Sequence, residues 1–365
     1  MKQLILLVLL TGMVATSAFG QPLATKGYDA QQLSCTGPNA DGPLQPIAGR
    51  PYDYSAGISP GGGTAYWYAT KSMDFITNGT RNPGIEISKE GTSILSGALN
   101  YMTNETTAAG ATASTKTTVT WTTAGLKDVS ATKPLFMVLQ YTGSGTPTCS
   151  NNMKVYQIIP KNAFTVDILN IKNSDKTTEL AYGTTDTQCY ADILSAKYDA
   201  PTSKMVFDYG VNYLYFEVVA ANFTGSFTPS FKLSGLKTGQ KALVEWTVDK
   251  TLATAGLTAL GAAQTATTGT VLDFTGTAVA ADPAITDMSK GVSIYIKVTV
   301  TNGLYEGLND DAISLAVEAA NASGDADIDN TTCAAPATTF EDVATQTLNK
   351  RPTVIPDPAT GTFVP

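Results

Sequence analysis

The sequence predicts an all-β protein of two tandem β-sandwiches followed by a Pro-containing tail, on three observations. Thr, Val, Ile and Tyr recur throughout, and β-branched and aromatic side chains suit a pleated, half-buried surface. Charged residues make up only 15% of the 365, too few for long solvent-exposed helices. Short apolar runs are separated by turn signals such as Asn78-Gly79, Asn82-Pro83-Gly84, Gly143-Ser144-Gly145 and Asn302-Gly303. Strands at that spacing point to sandwiches rather than βαβ units, and the length suits two domains.

Residues 1–20 read as an export signal. Lys2 supplies a positive start, and Leu4 to Leu10 form an apolar run too short to cross a bilayer. Ala18 and Gly20 are the small residues a signal peptidase reads, which predicts cleavage before Gln21. The mature chain is expected outside the cytoplasm, in the extracellular space, at the cell surface or in the periplasm. No second apolar run is long enough for a membrane helix, so direct membrane insertion is not expected. A formal charge of -8 and the lack of any Lys/Arg cluster speak against nucleic acid as a partner. Histidine is absent, which removes the commonest general base and metal ligand and lowers the expectation of catalysis.

The four cysteines, Cys35, Cys149, Cys189 and Cys333, are too far apart for a CxxC zinc or redox motif. In an exported chain an even set reads as disulfides; three pairings are open, and spacing favours Cys35–Cys149 with Cys189–Cys333. A repeat of strand order points the same way. Asp53-Tyr54 then Tyr66-Trp67-Tyr68 in the first half correspond to Asp208-Tyr209 then Tyr213 to Phe216 in the second. Lys116 to Thr122 and Lys241 to Thr247 share a K-x-x-V-x-W-T pattern, and the alternating runs Leu135 to Tyr141 and Val292 to Thr301 follow. The expected division is a signal at 1–20, sandwiches at 21–175 and 176–335, and an extended tail at 336–365. Leu252 to Ala266 reads as a short helix or an irregular hairpin, and Asp311 to Ala320 as the final strand.

The export signal, the cysteine near each module start, the aromatic strand, the V-x-W strand and the late alternating strand resemble the immunoglobulin-like or PKD-type modules of Bacteroidota surface proteins. The resemblance covers about residues 30–335. It implies immunoglobulin-like sandwiches in a structural, adhesive or filament-associated protein without catalysis, whose partners are other surface proteins or copies of itself. Many such proteins end in a β-rich sorting domain, and Asn349 to Pro365 does not match one.

Candidate sites follow from individual motifs. Asp325, Asp327 and Asp329 have the D-x-D-x-D spacing that can aim alternate carboxylates at calcium, although Asn330 stands where the usual Gly would be. No other cofactor is indicated. The Tyr66-Trp67-Tyr68 run would serve as a glycan platform if it were exposed, which makes a carbohydrate-binding module the alternative function. Glu86 with Glu90, or Glu306 with Asp310, are the acidic pairs a glycoside-active enzyme would need. In the tail, Val354, Ile355, Phe363 and Val364 lie in short β-prone runs between prolines. Such a peptide suits addition to the sheet edge of a neighbouring subunit.

Overall fold

The computed structural model describes residues 42–59, 63–77, 80–81, 86–87, 102–105, 116–143, 151–252, 256–281, 285, 287–329 and 340–354. The export signal, Cys35, Cys149, Cys333, Ile355, Phe363 and Val364 lie outside them. Within these limits the protein is all-β, with one five-residue helix among the described residues.

The first sandwich opens with β1 (Pro51–Ser55), β2 (Thr64–Thr70), β3 (Ile76–Thr77), β4 (Thr80–Arg81), β5 (Glu86–Ile87) and β6 (Met102–Glu105). It continues with β7 (Lys116–Trp121), α1 (Thr123–Lys127), β8 (Leu135–Thr142) and β9 (Asn151–Ile158). One sheet has the order β1-β7-β6 and the other β5-β2-β8-β9. Strand alternation turns Tyr52 and Tyr54 of β1 inward, where they meet Trp67, Val119, Trp121, Met137 and Leu139 from both sheets. Trp121 is fully buried, and its indole N–H donates to Tyr54 Oη at 2.9 Å. α1 starts because the Thr122 side chain accepts from Gly125 N, satisfying one of the orphan donors of a helix start.

The second sandwich begins with β10 (Thr165–Ile171), β11 (Asp186–Cys189), the hairpin β12 (Ser195–Asp199) and β13 (Lys204–Asp208), β14 (Val211–Ala221) and β15 (Ser226–Ser234). β16 (Lys241–Thr247), β17 (Thr258–Ala259), β18 (Gln264–Thr265), β19 (Leu272–Thr275) and β20 (Val279–Ala280) follow. The long strands β21 (Val292–Thr301), β22 (Asp311–Asn321) and β23 (Asp342–Asn349) complete it. One sheet runs β10-β14-β21-β16-β17, with β18 also on β16. The other runs β11-β23-β22-β15-β19, with β20 also on β15. The inward faces of β14, β15, β21 and β22 bury Phe216, Phe227, Phe231, Ile294, Ile296, Leu315 and Val317 in one continuous core.

Two boundaries differ from the expected division. β10 lies before the expected break at 175/176, yet it pairs with β14 from Thr165↔Ala221 to Ile171↔Tyr215 and belongs to the second sandwich. The break falls instead at Pro160–Asn162, because Ala163 to Ile171 is one buried run without Gly or Pro. β23 lies inside the expected tail and is the last strand in place of β22, hydrogen-bonded between β22 and β11. The stretch Leu252 to Ala266 contains β17 and β18, which pair with successive parts of β16 and not with each other, so its described part is an interrupted edge strand rather than a helix or a hairpin of its own. The repeat is partial as well. β2 pairs with β8 as β14 pairs with β21, but β7 sits in the sheet opposite β8, whereas β16 pairs directly with β21.

Candidate functional site

The end of the second sandwich where β14 begins is built around buried polar side chains. Gln240 Nε2 donates to Asn302 Oδ1 at 2.9 Å. Asn302 Nδ2 donates to Asn212 Oδ1 and to the Tyr209 carbonyl, each at 3.0 Å. Asn212 Nδ2 in turn donates to the Cys189 carbonyl at 3.0 Å. Buried amides are tolerated when paired in this way, and the chain they form ties the ends of β11, β13, β14 and β21 together.

Beside it, Asp311 at the start of β22 accepts from Tyr190 Oη at 2.6 Å and Tyr305 Oη at 2.7 Å, and pairs with Lys237 Nζ at 2.9 Å. Burial pushes the Asp311 carboxyl up, but the bonds from Tyr190, Tyr305 and Lys237 outweigh it and hold the group below the ordinary carboxylate value. Burial and the same carboxylate push the Tyr305 hydroxyl up to about 12 and raise Tyr190 as well. Gly307 allows this packing: its φ is +76°, and a Cβ there would meet the Tyr190 ring at 2.6 Å.

Arg351 closes this end. Its N–H donates to the Gly307 carbonyl at 2.8 Å, Nε to the Glu306 carbonyl at 2.6 Å and Nη2 to the Tyr209 carbonyl at 2.8 Å. The guanidinium also lies 5.2 Å from the Tyr209 ring centroid and 5.9 Å from that of Tyr190. Chain exit is thereby fixed after β23, and Val354 is 84% exposed beyond it. Next to the clamp, β12 and β13 pair only with each other among the described residues. This hairpin and its entry expose Ile193, Leu194 (67%), Tyr198 (63%), Met205 and Val206. By strand alternation Tyr198 and its cross-strand partner Met205 lie on one face of the hairpin, and Val206, opposite Lys197, lies on the other.

The opposite end of the second sandwich meets the first. Thr123 and Thr224 exchange hydrogen bonds, Met288 N donates to the Gly49 carbonyl at 2.7 Å, and Lys127 pairs with Asp325 at 2.9 Å. Ile47, Ala163 and Ile328 form a small apolar cluster beneath. Gly49 has φ +76°, and a Cβ there would lie 2.5 Å from the Phe223 carbonyl oxygen, so the two units touch backbone to backbone. A cleft of about 210 Å³ between them is lined by Asn162, Asn222, Asn321, Lys127 and Asp325. Bonds between the units and within its loops already engage these groups: Asn162 holds Ala326 O and Phe164 N, and Asn321 holds Asp325.

The expected sites fall in different places. Asp325 faces Lys127, whereas Asp327 is buried and accepts from Ala319 N at 3.3 Å. Asp325 is thus engaged apart from Asp327, and no group of three or more His, Cys, Asp or Glu side chains placed to hold a metal ion occurs among the described residues. Instead, Asp327, Asp329, Asp167, Glu341 and Asp342 gather where β23 begins. Burial first, then these neighbours, raises Asp342 to about 8. Trp67 and Tyr68 are both buried, so the aromatic run is no platform for sugars. Trp121 is core and Trp246 packs partly buried against the second core. Asp310 accepts from Lys350 N at 2.7 Å, and Glu306 is exposed with its carbonyl holding Arg351; Glu90 lies outside the described residues. Cys189 is exposed with a free thiol at the end of β11, and its expected partner Cys333 is outside the described residues. The clamp itself was not foreseen, because Arg351 in sequence is one cation in a Pro-flanked stretch. Its partners stand 44 to 161 positions away.

No family model matches the chain, and no curated protein matches it. Among solved structures, the N-terminal domain of PorA is similar over 50% of this chain and 96% of its own, at 8% identity and a TM-score of 0.21. The full-length RrgB pilus protein of Streptococcus pneumoniae is similar over 73% of this chain and 44% of its own, at 13% identity and a TM-score of 0.21. The collagen binding domain of the Erysipelothrix rhusiopathiae surface protein RspB gives 83% and 90%, at 8% identity and a TM-score of 0.16. These are weak likenesses to bacterial surface proteins, and no residue role is carried over from them.

Proposed function

We propose that this chain is a non-catalytic structural or adhesive component of a cell surface, exported by its N-terminal signal and working through protein–protein contacts, with a filament as one assembled form. The observation that carries the reading is the hairpin β12–β13, which holds Tyr198 and its cross-strand neighbour Met205 in solvent, with Leu194 exposed at its entry, on a base fixed by buried amides. Rigid presentation of an apolar surface lowers the ordering cost of binding a partner. The absence of histidine supports a role without catalysis. A glycan-binding reading is weaker, since Trp67 and Tyr68 of the run that suggested it are buried and only Tyr66 is partly exposed.

Protease shaving of intact cells of the native host should release fragments of this chain. Cross-linking on the same cells should join the wild type, but not a Leu194→Asp/Tyr198→Asp variant, to other surface proteins or further copies. A chain inaccessible to protease, or a variant with unchanged cross-links, would overturn the reading.

A further inference from the structure

The sheet β10-β14-β21-β16 is buried on both faces over half its length. Its core face turns Val166, Ile168, Phe216, Val218 and Ile294 towards the opposite sheet. Alternation puts Asp167, Leu169, Glu217, Val219, Ala221 and Ser293 on the outer face, yet all six are buried. Further along that face Tyr213 is 42% exposed, so the cover stops short of the Arg351 end. Leu252 and Leu257 pack on Tyr215 and Tyr295 of the outer face, whereas Val219 and Ala221 form a cluster that no other apolar side chain joins among the described residues. The register sets Asp167 opposite Val219 and Glu217 opposite Leu169, with Ser293 on the other side of Val219. Asp167 and Glu217 are therefore diagonal neighbours, about 7–8 Å apart. They are 1% and 0% exposed, and Ser293 Oγ donates to Glu217. Burying two carboxylates costs heavily unless a cation and further donors reach them, and one ammonium between groups at this spacing serves both.

We propose that residues 21–41, the start of the mature chain, lie along this outer face as a strap, with Lys26 between Asp167 and Glu217. Charge selects the segment. Lys297, further along the outer face of β21, is held by Glu245 at 3.2 Å, and Lys250 pairs with Glu179. Outside the described residues and beyond the export signal, the sequence holds two cations, Lys26 and Lys89. Lys89 is tied two residues after β5, the edge of its sheet farthest from β9. Segments 253–255, 282–284, 330–339 and 355–365 contain no Lys or Arg. The path allows the seating as well. Residues 44–47 run beside Ile159 and Lys161, and Ile47 clusters with Ala163, four residues before Asp167. Doubling back from Gly42 to Asp167 takes on the order of 35 Å. Lys26 stands sixteen residues before Gly42, a reach of about 50 Å. Extended, the segment sets Ala24, Lys26 and Tyr28 on one side, so apolar groups flank the ammonium where Leu169, Val219 and Ala221 await them.

Mature chains carrying Lys26→Met, Asp167→Asn/Glu217→Gln, or all three changes test this by amide exchange and thermal melting. Lys26→Met should speed exchange ~10-fold or more along β10 and the Glu217 to Ala221 part of β14, and lower the melting temperature. Added to Asp167→Asn/Glu217→Gln, the same change should do neither, because its partners are gone. Unaltered exchange in Lys26→Met, or an equal effect in both backgrounds, would overturn the proposal. A protease site inserted after Asp41 gives a second measure that does not depend on the acidic variant folding. Once cut, residues 21–41 should co-elute with the body of the wild type and separate from that of Lys26→Met; release from the wild type overturns the strap. A wild type that sediments at twice its mass until residues 21–41 are removed would place the segment on a second copy, and the seating on its own chain would be wrong.

Discussion

Thr123 and Thr224 hold each other reciprocally: Thr123 N donates to Thr224 Oγ1 at 2.8 Å, and Thr224 N donates to Thr123 Oγ1 at 2.8 Å. One residue starts α1 in the first sandwich and the other follows β14 in the second, so two backbone donors of separate units are satisfied by two hydroxyls. Neighbouring contacts, Met288 to Gly49 and Lys127 to Asp325, act in the same plane of contact.

Thr224→Val keeps the shape and removes one acceptor, leaving the Thr123 N–H partly buried without its bond. The expected cost is about 1–2 kcal/mol. Denaturant unfolding should show a lower midpoint for the first sandwich relative to the second. An unchanged curve would mean the pair contributes nothing to joining the units.

Acidity should stabilise this protein relative to mild alkali. Burial and the carboxyls of Asp167, Asp327, Glu341 and Asp329 raise Asp342 to about 8. A carboxyl whose folded value lies above its unfolded one costs stability progressively as pH rises from about 4 to about 8. Asp311 is lowered, so its contribution is lost only as pH falls below the ordinary carboxylate range. The melting temperature should therefore be highest on the acid side of neutrality and fall towards pH 8. Asp342→Asn should raise it at pH 8 and flatten the decline; a melting temperature that climbs steadily across this window contradicts the cluster's assignment.

Removing one donor from the Asp311 network gives a graded test. Tyr305→Phe deletes the 2.7 Å bond to a buried carboxylate and should cost about 1.5–3 kcal/mol. Asp311→Ala strips the acceptor from Tyr190, Tyr305 and Lys237 together and should cost more, about 3–5 kcal/mol. If calorimetry ranks the two variants the other way, Asp311 is not the centre of the network.

Cys189 is exposed and free. Maleimide added to native, unreduced protein should therefore label it, as peptide mapping would show. A peptide linking Cys189 to Cys333 in a non-reduced digest would instead establish the pairing that the cysteine spacing suggests.

Strand content was determined by the sequence alone, because burial of alternate side chains leaves a local period of two. The aromatic runs of β2 and β14 and the alternating run of β21 were legible as strands from neighbours in the chain, although burial on both faces of β2 and β14 departs from strict alternation. What pairs with what is a long-range matter, and only the tertiary structure decided it. β23 turns Ala344, Gln346 and Leu348 inward, and a buried Gln breaks the apolar signal. Its amide is satisfied by the Tyr215 carbonyl at 2.8 Å and by Asn173 at 2.7 Å, partners more than a hundred residues away. The same holds for Arg351, whose role depends on carbonyls of Tyr209, Glu306 and Gly307 meeting at one end of the sandwich. Hydrogen bonds between distant segments leave no periodicity behind, so the junction, the clamp and the last strand became visible only once the chain was folded.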